Sequence, residues 1–317
     1  MINNKKSVKV AVVQAAPILF DRDASIEKAC QLIREVAAEN VELVLFPEAF
    51  IPAYPRGLSF GMVVGSRKPE GRDLWQRYWD NSVQIPSPAT DKLGDAVREA
   101  GVYLAMGIIE RDTEFSGGTL YCTTLYFSPE GEIIGKHRKL KPTGSERLIW
   151  GEGDGSTLTV LETELGKIGG LICWENYMPL ARMAMYGKGV ELYLAPTADS
   201  RDTWQATMQH IACEGRCFVL GCNQFVTKDM YPTDLQKHAE LAEQPEIMSR
   251  GGSVIISPLG EIIAGPLYDQ EGILYAELDL EEVVRSKVDF DVVGHYARPD
   301  VFQLLINEEP ARTVQNK

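Results

Sequence analysis

The sequence predicts one α/β domain in which two mixed β-sheets pack face to face with helices on the outside. Short β-branched runs alternate with helical patterns in the first third of the chain, and hairpin patterns follow. No Pro/Gly/Ser-rich linker and no abrupt shift in composition divides the 317 residues. From about residue 291 only 301–306 is apolar, so we predict a domain over 1–290 and a C-terminal arm or tail over 291–317.

The elements of the first half follow from periodicity. Alternation predicts a strand at 8–15, and a 3.6-residue period predicts a helix over 25–40. One face of this helix carries the apolar residues Ile26, Ala29, Cys30, Ile33, Val36 and Ala37. The remaining predictions are strands at 43–46 and 103–110, helices over 70–81 and 89–100, and a hairpin of strands 120–128 and 133–139.

The second half shows the same alternation. Strands are predicted at 156–162, 167–173, 191–196, 218–225, 253–257, 262–265 and 273–279. Helices are predicted over 179–188, 204–213 and 280–287.

One heptapeptide nearly recurs. Residues 128–134 read Ser-Pro-Glu-Gly-Glu-Ile-Ile, and residues 257–263 read Ser-Pro-Leu-Gly-Glu-Ile-Ile. Either both segments converged on one favourable hairpin turn, or the two halves repeat one α/β plan around a pseudo-two-fold axis.

Composition excludes several classes of function. Lys and Arg number 32 and Asp and Glu 45, which gives a net charge of 32 − 45 = −13. Such a chain repels phosphate backbones and anionic lipid, so we expect no nucleic-acid or membrane partner. The longest stretch without a charged residue, 115–129, is too short and too polar to span a membrane. We expect no targeting segment, and the low density of cysteines favours a reducing cytoplasm.

Three ionisable residues lie where predicted strands end. Glu48 follows the strand at 43–46, Lys139 closes the strand at 133–139, and Cys173 closes the strand at 167–173. Ligands bind at the carboxyl ends of strands in open α/β sheets, so this shared placement suggests one site. A nearby ammonium would favour the thiolate of Cys173, and a nearby carboxylate would supply a base.

Other signals are weaker. The glycines at 151, 153 and 155 neither follow a strand nor open a helix, which argues against a phosphate-binding loop. His210 with Cys213, Cys217 and Cys222 could suggest zinc, but the cysteines fall on different elements, and buried small residues are the better interpretation. His137 shares a strand face with Lys139 and is interpreted as a structural, hydrogen-bonded histidine.

Three separated blocks resemble the nitrilase superfamily of carbon–nitrogen hydrolases. The blocks are Phe46-Pro47-Glu48-Ala49-Phe50, His137-Arg138-Lys139-Leu140-Lys141-Pro142-Thr143 and Cys173-Trp174-Glu175-Asn176. The match continues through Glu146-Arg147 and the segment 150–155, and it covers nearly the whole chain in order. Cys-Trp-Glu-Asn-x-x-Pro resembles the nitrilase branch, whereas amidase and carbamoylase branches typically carry Tyr-Asp or Trp-Asp after the cysteine.

The resemblance implies a four-layer αββα sandwich with a catalytic Glu48–Lys139–Cys173 triad and Glu146 as a supporting glutamate. It also implies homo-oligomers, either dimers or larger spirals, for which the helix over 179–188 is the candidate interface. We predict that Tyr54, Trp174 and Trp204 line the substrate pocket, although packing between helix and sheet is an equal alternative for Trp204.

The expected function is hydrolysis of an organic nitrile to the carboxylic acid and ammonia. We expect no metal and no organic cofactor, because the cysteine performs the covalent chemistry. Two alternative functions would use the same triad: an amidase, or an enzyme that hydrolyses cyanide. A further alternative is a non-catalytic scaffold protein with the same fold.

Overall fold

The computed structural model describes residues 5–114, 117–312 and 314. The first half of the chain contains, in order, β1 (Ser7–Gln14), α1 (Arg22–Ala37), β2 (Leu43–Leu45), β3 (Met62–Val63), β4 (Ser66–Arg67), α2 (Pro69–Asp80), α3 (Pro88–Ala100), β5 (Tyr103–Arg111), β6 (Leu120–Phe127) and β7 (Ile133–Arg138). The second half contains β8 (Val160–Thr163), β9 (Gly166–Gly170), α4 (Pro179–Gly187), β10 (Leu192–Pro196), α5 (Thr203–Gly215), β11 (Phe218–Cys222), β12 (Phe225–Thr227), α6 (Thr233–Gln236), α7 (Ala239–Ala242), β13 (Ile247–Ile256), β14 (Ile262–Tyr268), β15 (Gly272–Asp279) and α8 (Glu281–Ser286).

Two mixed sheets form the centre of the fold. The first sheet has the strand order β15-β1-β2-β5-β6-β7. The second has the order β12-β13-β11-β10-β9-β8, and β14 pairs with β13. In each sheet three parallel strands are adjacent: β1, β2 and β5 in the first, and β9, β10 and β11 in the second. The strands β3 and β4 form a separate small hairpin.

Side-chain alternation along β1 divides the core into layers. Val8, Val10 and Val12 join a buried cluster with residues of the second sheet, so they lie between the sheets. Ala11 and Val13 point the other way, into a cluster with α1 and α3. The helices α4 and α5 cover the outer face of the second sheet in the same manner. The predicted four-layer αββα sandwich is therefore confirmed.

The two halves of the chain repeat one strand plan. The series β15-β1-β2-β5-β6-β7 corresponds to β8-β9-β10-β11-β13-β14, with the same sequence of antiparallel and parallel pairings. The recurring heptapeptides form equivalent turns, in which Ser128 N–H donates to the Glu132 carbonyl and Ser257 N–H to the Glu261 carbonyl. A repeated plan therefore explains the recurrence better than local convergence does.

Three predicted strands are shorter than expected. The strand predicted at 167–173 ends at Gly170, because Cys173 has φ +52° and begins a 3₁₀ turn at Cys173–Tyr177. The strand predicted at 156–162 begins only at Val160, since the Asp154 carboxylate caps a 3₁₀ turn by accepting from Ser156 N–H. The strand predicted at 218–225 breaks after Cys222, where the Asn223 side chain accepts from the next backbone N–H.

Beyond residue 290 the described chain has neither strand nor helix as far as residue 312. It lies against the body of the protein: Ala311 N–H donates to Asp154 Oδ2 at 2.7 Å, and Glu308 pairs with Lys188. The division of the chain near residue 290 stays a prediction. No helix among the described residues is long and apolar enough to cross a membrane.

Candidate active site

Glu48, Lys139 and Cys173 meet between the two sheets at the carboxyl ends of their strands. Glu48 follows β2, Lys139 follows β7 directly, and Cys173 lies three positions beyond the end of β9. The first two residues come from the first sheet and the third from the second sheet. All three are buried. The shared placement at strand ends therefore does bring them together.

Lys139 lies between two carboxylates. Its Nζ is 2.7 Å from Glu48 Oε1 and 2.7 Å from Glu146 Oε2. Burial alone would lower the pKa of Lys139, but Glu48, Cys173 and Glu146 raise that pKa well above its usual value. The ammonium is therefore held charged inside the protein, where its field is strongest.

Glu48 has one bonded and one unbonded oxygen. Oε1 accepts from Lys139 and lies 3.6 Å from the Cys122 sulfur, whereas the buried Oε2 has no hydrogen-bond partner among the described residues. The Cys173 thiol neighbours this carboxylate. Burial raises the pKa of Glu48 despite the attraction of Lys139. This carboxylate is therefore a stronger base than an exposed one and has an oxygen free to accept a proton.

The backbone around Glu48 depends on close packing. A Cβ on Gly107 would lie 1.9 Å from the Pro47 carbonyl oxygen, so only glycine lets β5 approach this loop. Gln224 lies between β11 and β12 of the second sheet, and its Nε2 donates to the Glu48 carbonyl at a distance of 2.8 Å. These contacts fix Glu48 relative to both sheets.

Cys173 occupies a sharp turn. Its φ of +52° lies in the left-handed region, which costs a non-glycine residue about 1–3 kcal/mol. The Asn176 side chain holds the turn by donating to the carbonyls of Leu171 and Cys173, at 2.9 and 2.8 Å. Thr197 Oγ1 lies 3.2 Å from the Cys173 sulfur. The turn thus directs the thiol out of the strand and towards Glu48.

The surroundings of Cys173 favour its protonated thiol. Burial raises the pKa of Cys173 to about 12, Glu48 adds to the increase, and Lys139 opposes it. The ammonium acts in the direction expected from the sequence, but burial outweighs it. A thiol in this environment needs a base if it is to act as a nucleophile.

Glu146 is fixed by three donors. It lies in the 3₁₀ turn Gly144–Leu148, where Thr143 N–H donates to Oε2 at 2.6 Å. Tyr54 OH donates to Oε1 at 2.6 Å, and Lys139 completes the set. Glu146 therefore orients Lys139 and joins the triad to the Tyr54 side of the site.

Glu175 was not singled out from the sequence, yet it links the backbones beside Lys139 and Cys173. It accepts from Leu140 N–H at 2.7 Å and from Ile172 N–H at 2.8 Å. His137 Nε2 lies 3.0 Å from Glu175 Oε2, and His137 Nδ1 lies 2.8 Å from the Thr157 carbonyl. His137 is thus hydrogen-bonded at both ring nitrogens, in agreement with its interpretation as structural.

A cavity of about 290 Å³ opens onto Cys173. Its lining residues are Tyr54, Arg56, Thr143, Glu146, Cys173, Trp174, Ala198, Asp199, Ser200 and Arg201. Two of the predicted pocket residues, Tyr54 and Trp174, are among them. Their role in binding substrate stays a prediction.

Trp204 does not line this cavity. It is 1% exposed and packs in the core beneath α4 and α5, with its ring 5.7 Å from that of Tyr177. The structure thus shows the packing between helix and sheet that was the alternative for Trp204, and its role in binding substrate stays a prediction. The first turn of α5 faces inward, which residue type alone does not reveal.

Thr197 was also missed, although a signal for it was present. It directly follows β10 (Leu192–Pro196), at the same strand edge as the other site residues. The rule that selected Glu48, Lys139 and Cys173 therefore applies equally to Thr197. Among the described residues, no group of three or more His, Cys, Asp or Glu is arranged to hold a metal ion.

Comparisons with known proteins identify the family of this chain. The family model described as carbon-nitrogen hydrolase matches residues 9–287. An aliphatic nitrilase of Sinorhizobium fredii is 53% identical over 307 residues, which cover 96% of this chain and 97% of that protein. A bifunctional nitrilase/nitrile hydratase of Lupinus angustifolius is 50% identical over 315 residues, covering 98% and 89%.

The fold also matches solved structures. A carbon-nitrogen hydrolase from Helicobacter pylori superposes with a TM-score of 0.72 at 23% identity, covering 94% of this chain and 97% of that chain. At that identity the likeness speaks for the fold alone. The family model and the two relatives carry the assignment further: this chain belongs to the carbon–nitrogen hydrolase family, in its nitrilase branch.

Proposed function

We propose that this enzyme hydrolyses an organic nitrile to the carboxylic acid and ammonia through covalent intermediates on Cys173. One observation carries the proposal: Cys173 lines the cavity beside a buried carboxylate, Glu48, that has an unbonded oxygen. Glu48 is the acid–base group, Lys139 stabilises developing negative charge, and Glu146 holds Lys139 in place.

The first step forms a thioimidate. Glu48 takes the proton of the Cys173 thiol while the sulfur attacks the nitrile carbon. One carbon–nitrogen π bond breaks, and the nitrogen takes the proton back from Glu48. Lys139, with backbone N–H groups near Trp174, stabilises the negative charge on nitrogen as it develops.

The following steps consume water. Glu48 passes a proton from a water to the nitrogen as the hydroxide adds to the thioimidate carbon. Transfer of the hydroxyl proton to the same nitrogen, again through Glu48, lets the tetrahedral species lose ammonia and become a thioester. A second water, activated in the same way, breaks the carbon–sulfur bond and releases the acid with the thiol restored. This scheme requires no metal or organic cofactor, because Cys173 performs the covalent chemistry.

We propose a small aliphatic substrate within the nitrile class. Pockets for drug-sized ligands span roughly 300–1,000 Å³, and this cavity of about 290 Å³ lies at the lower limit. The Sinorhizobium fredii relative is named an aliphatic nitrilase, which supports the same class.

Amide is a second candidate product. The Lupinus angustifolius relative is named as both nitrilase and nitrile hydratase. In this scheme amide forms when the tetrahedral species expels the Cys173 thiol instead of ammonia. The leaving-group choice at that step therefore sets the acid-to-amide ratio.

The test is a panel of aliphatic, aromatic and arylacetonitriles and their amides, with ammonia, acid and amide quantified. We expect acid and ammonia from aliphatic nitriles. Turnover of amides without turnover of any nitrile would instead identify an amidase. Ammonia release from none of these compounds would revive the scaffold alternative.

We also propose that the protein forms homo-oligomers through the surface that leads into α4. Trp174, Tyr177, Met178 and Leu180 are all exposed there, Leu180 by 68%. On α4 itself, Ala184 and Tyr186 are buried and do not add to this exposed surface. A monomer mass by light scattering at micromolar concentration would contradict this proposal.

Cytoplasmic localisation stays a prediction. All six cysteines are free thiols, as is usual in a reducing compartment.

A further inference from the structure

Arg56 is a charged residue of the catalytic cavity that the proposed chemistry does not use. It lines the same cavity as Cys173. Its guanidinium lies over the Tyr54 ring, 5.2 Å from the centroid, and its Nη2 donates to the Ala198 carbonyl. Within the described part of the chain, Arg56 forms no ion pair with a carboxylate.

Arg201, the other arginine of the cavity, differs in this respect. Its guanidinium forks onto Asp199, with Nε 2.9 Å from Oδ1, and lies over Trp174 at 4.8 Å. Asp199 therefore neutralises Arg201. Glu146, the remaining carboxylate of the lining, shares Lys139 with Glu48. Arg56 is thus the arginine of the lining whose guanidinium has no carboxylate partner among the described residues.

Arg56 is also held in place before any ligand arrives. Tyr231 OH donates to the Arg56 carbonyl at 2.8 Å, the Tyr54 ring supports one face of the guanidinium, and Ala198 occupies one N–H group. The remaining N–H groups form the planar fork that binds a carboxylate through two parallel hydrogen bonds. A fixed fork loses little conformational entropy on binding.

We propose that Arg56 binds a carboxylate carried by the substrate, so that the preferred substrates are short aliphatic nitriles with a carboxylate at the other end. This inference rests on the proposed nitrile hydrolysis. The net charge of −13 repels anions from the protein as a whole, so an anionic substrate requires a local cation. Binding at Arg56 would anchor one end of the chain while the nitrile reaches Cys173.

The experiment compares 4-cyanobutanoate with 4-cyanobutanamide, which has the same shape but no charge, by following loss of the nitrile. We expect wild type to favour the carboxylate by at least about tenfold in kcat/KM, mainly through KM. Arg56→Gln should bring that ratio close to one, because the loss of kcat/KM should fall mainly on the carboxylate. Arg56→Lys should retain part of the preference. Arg34→Gln, on α1 and paired with Glu99, controls for the change in net charge.

Two outcomes would overturn the inference. Equal turnover of both compounds by wild type, or failure on both while other nitriles are hydrolysed, would show that the cavity does not select an anion. An equal loss on both compounds in Arg56→Gln would show that Arg56 only joins its loop to Ala198. Failure of wild type on every nitrile would instead refute the proposed function.

Discussion

Two buried carboxylates, Glu48 and Glu175, contact the segment that carries Lys139. Each pairs with a basic side chain of the same segment: Glu48 with Lys139, and Glu175 with His137. Both oxygens of Glu175 accept from a backbone N–H and from His137. Glu48 accepts through Oε1 but leaves Oε2 without a partner among the described residues.

This difference separates reaction from positioning. A buried carboxylate whose acceptor sites are all used stabilises the fold and fixes the backbones it joins. A buried carboxylate with an unused oxygen is costly for folding, and such a group is a candidate for proton transfer. We therefore assign proton transfer to Glu48 and positioning of Lys139 and Cys173 to Glu175.

The largest effect is expected at the thiol that faces Glu48. Cys173→Ala should lower nitrile turnover by at least about three orders of magnitude, because no neighbouring group can form the covalent adduct. Circular dichroism should show an intact fold, since thiol to methyl is a small change. Cys213→Ala, a partly exposed cysteine on α5, serves as the matched control and should retain activity.

Removing the base should have the next largest effect. We expect Glu48→Gln to lower kcat by about two to four orders of magnitude, because the thiol and the attacking waters lose their proton acceptor. Steady-state ammonia release measures this loss. A variant with more than a tenth of wild-type kcat would exclude Glu48 as the acid–base group.

Glu175→Gln should have a smaller effect on rate and a clear effect on stability. The amide replaces one acceptor by a donor that faces other donors, which should lower the free energy of unfolding by about 1–3 kcal/mol. Misplacement of Lys139 and Cys173 should lower kcat roughly ten- to a hundredfold. Denaturant unfolding measures the change in stability, and steady-state kinetics at the same pH measure the change in kcat. A larger loss of kcat than in Glu48→Gln would reverse our assignment of the two carboxylates.

The sequence predicted which residues meet between the two sheets better than it predicted the contacts that hold them there. Glu48, Lys139 and Cys173 follow predicted strands, and carboxyl ends of strands converge by a general rule of sheet geometry. The contacts of Glu175 depend on how far Cys173 turns out of its strand and on how closely the two sheets approach. Neither distance is encoded in local spacing, and the burial of Trp204 is not encoded there either.

The smallest effect concerns His137. Burial lowers its pKa, but the Glu175 carboxylate outweighs burial, and the net pKa is raised. Stabilisation by protonated His137 is then fully present below about pH 6.5 and is lost as pH rises through the higher folded pKa. We expect His137→Gln to reduce this dependence. The free energy of unfolding is measured from pH 6 to pH 9 in wild type and in His137→Gln. The same slope against pH in both proteins would contradict this prediction.

The most direct test of the division between Glu48 and Glu175 is intact-mass spectrometry of enzyme quenched during turnover of an aliphatic nitrile. We predict an adduct of substrate mass on the intact protein, more abundant in Glu48→Gln than in wild type. Without the Glu48 charge, Lys139 favours the Cys173 thiolate and the adduct can form, whereas both water additions that remove it lack their base. Glu175→Gln should show no such accumulation, since its base is intact. The adduct must vanish in the Glu48→Gln, Cys173→Ala double variant. An adduct that persists in that double variant, or wild-type turnover by Cys173→Ala, would contradict the account.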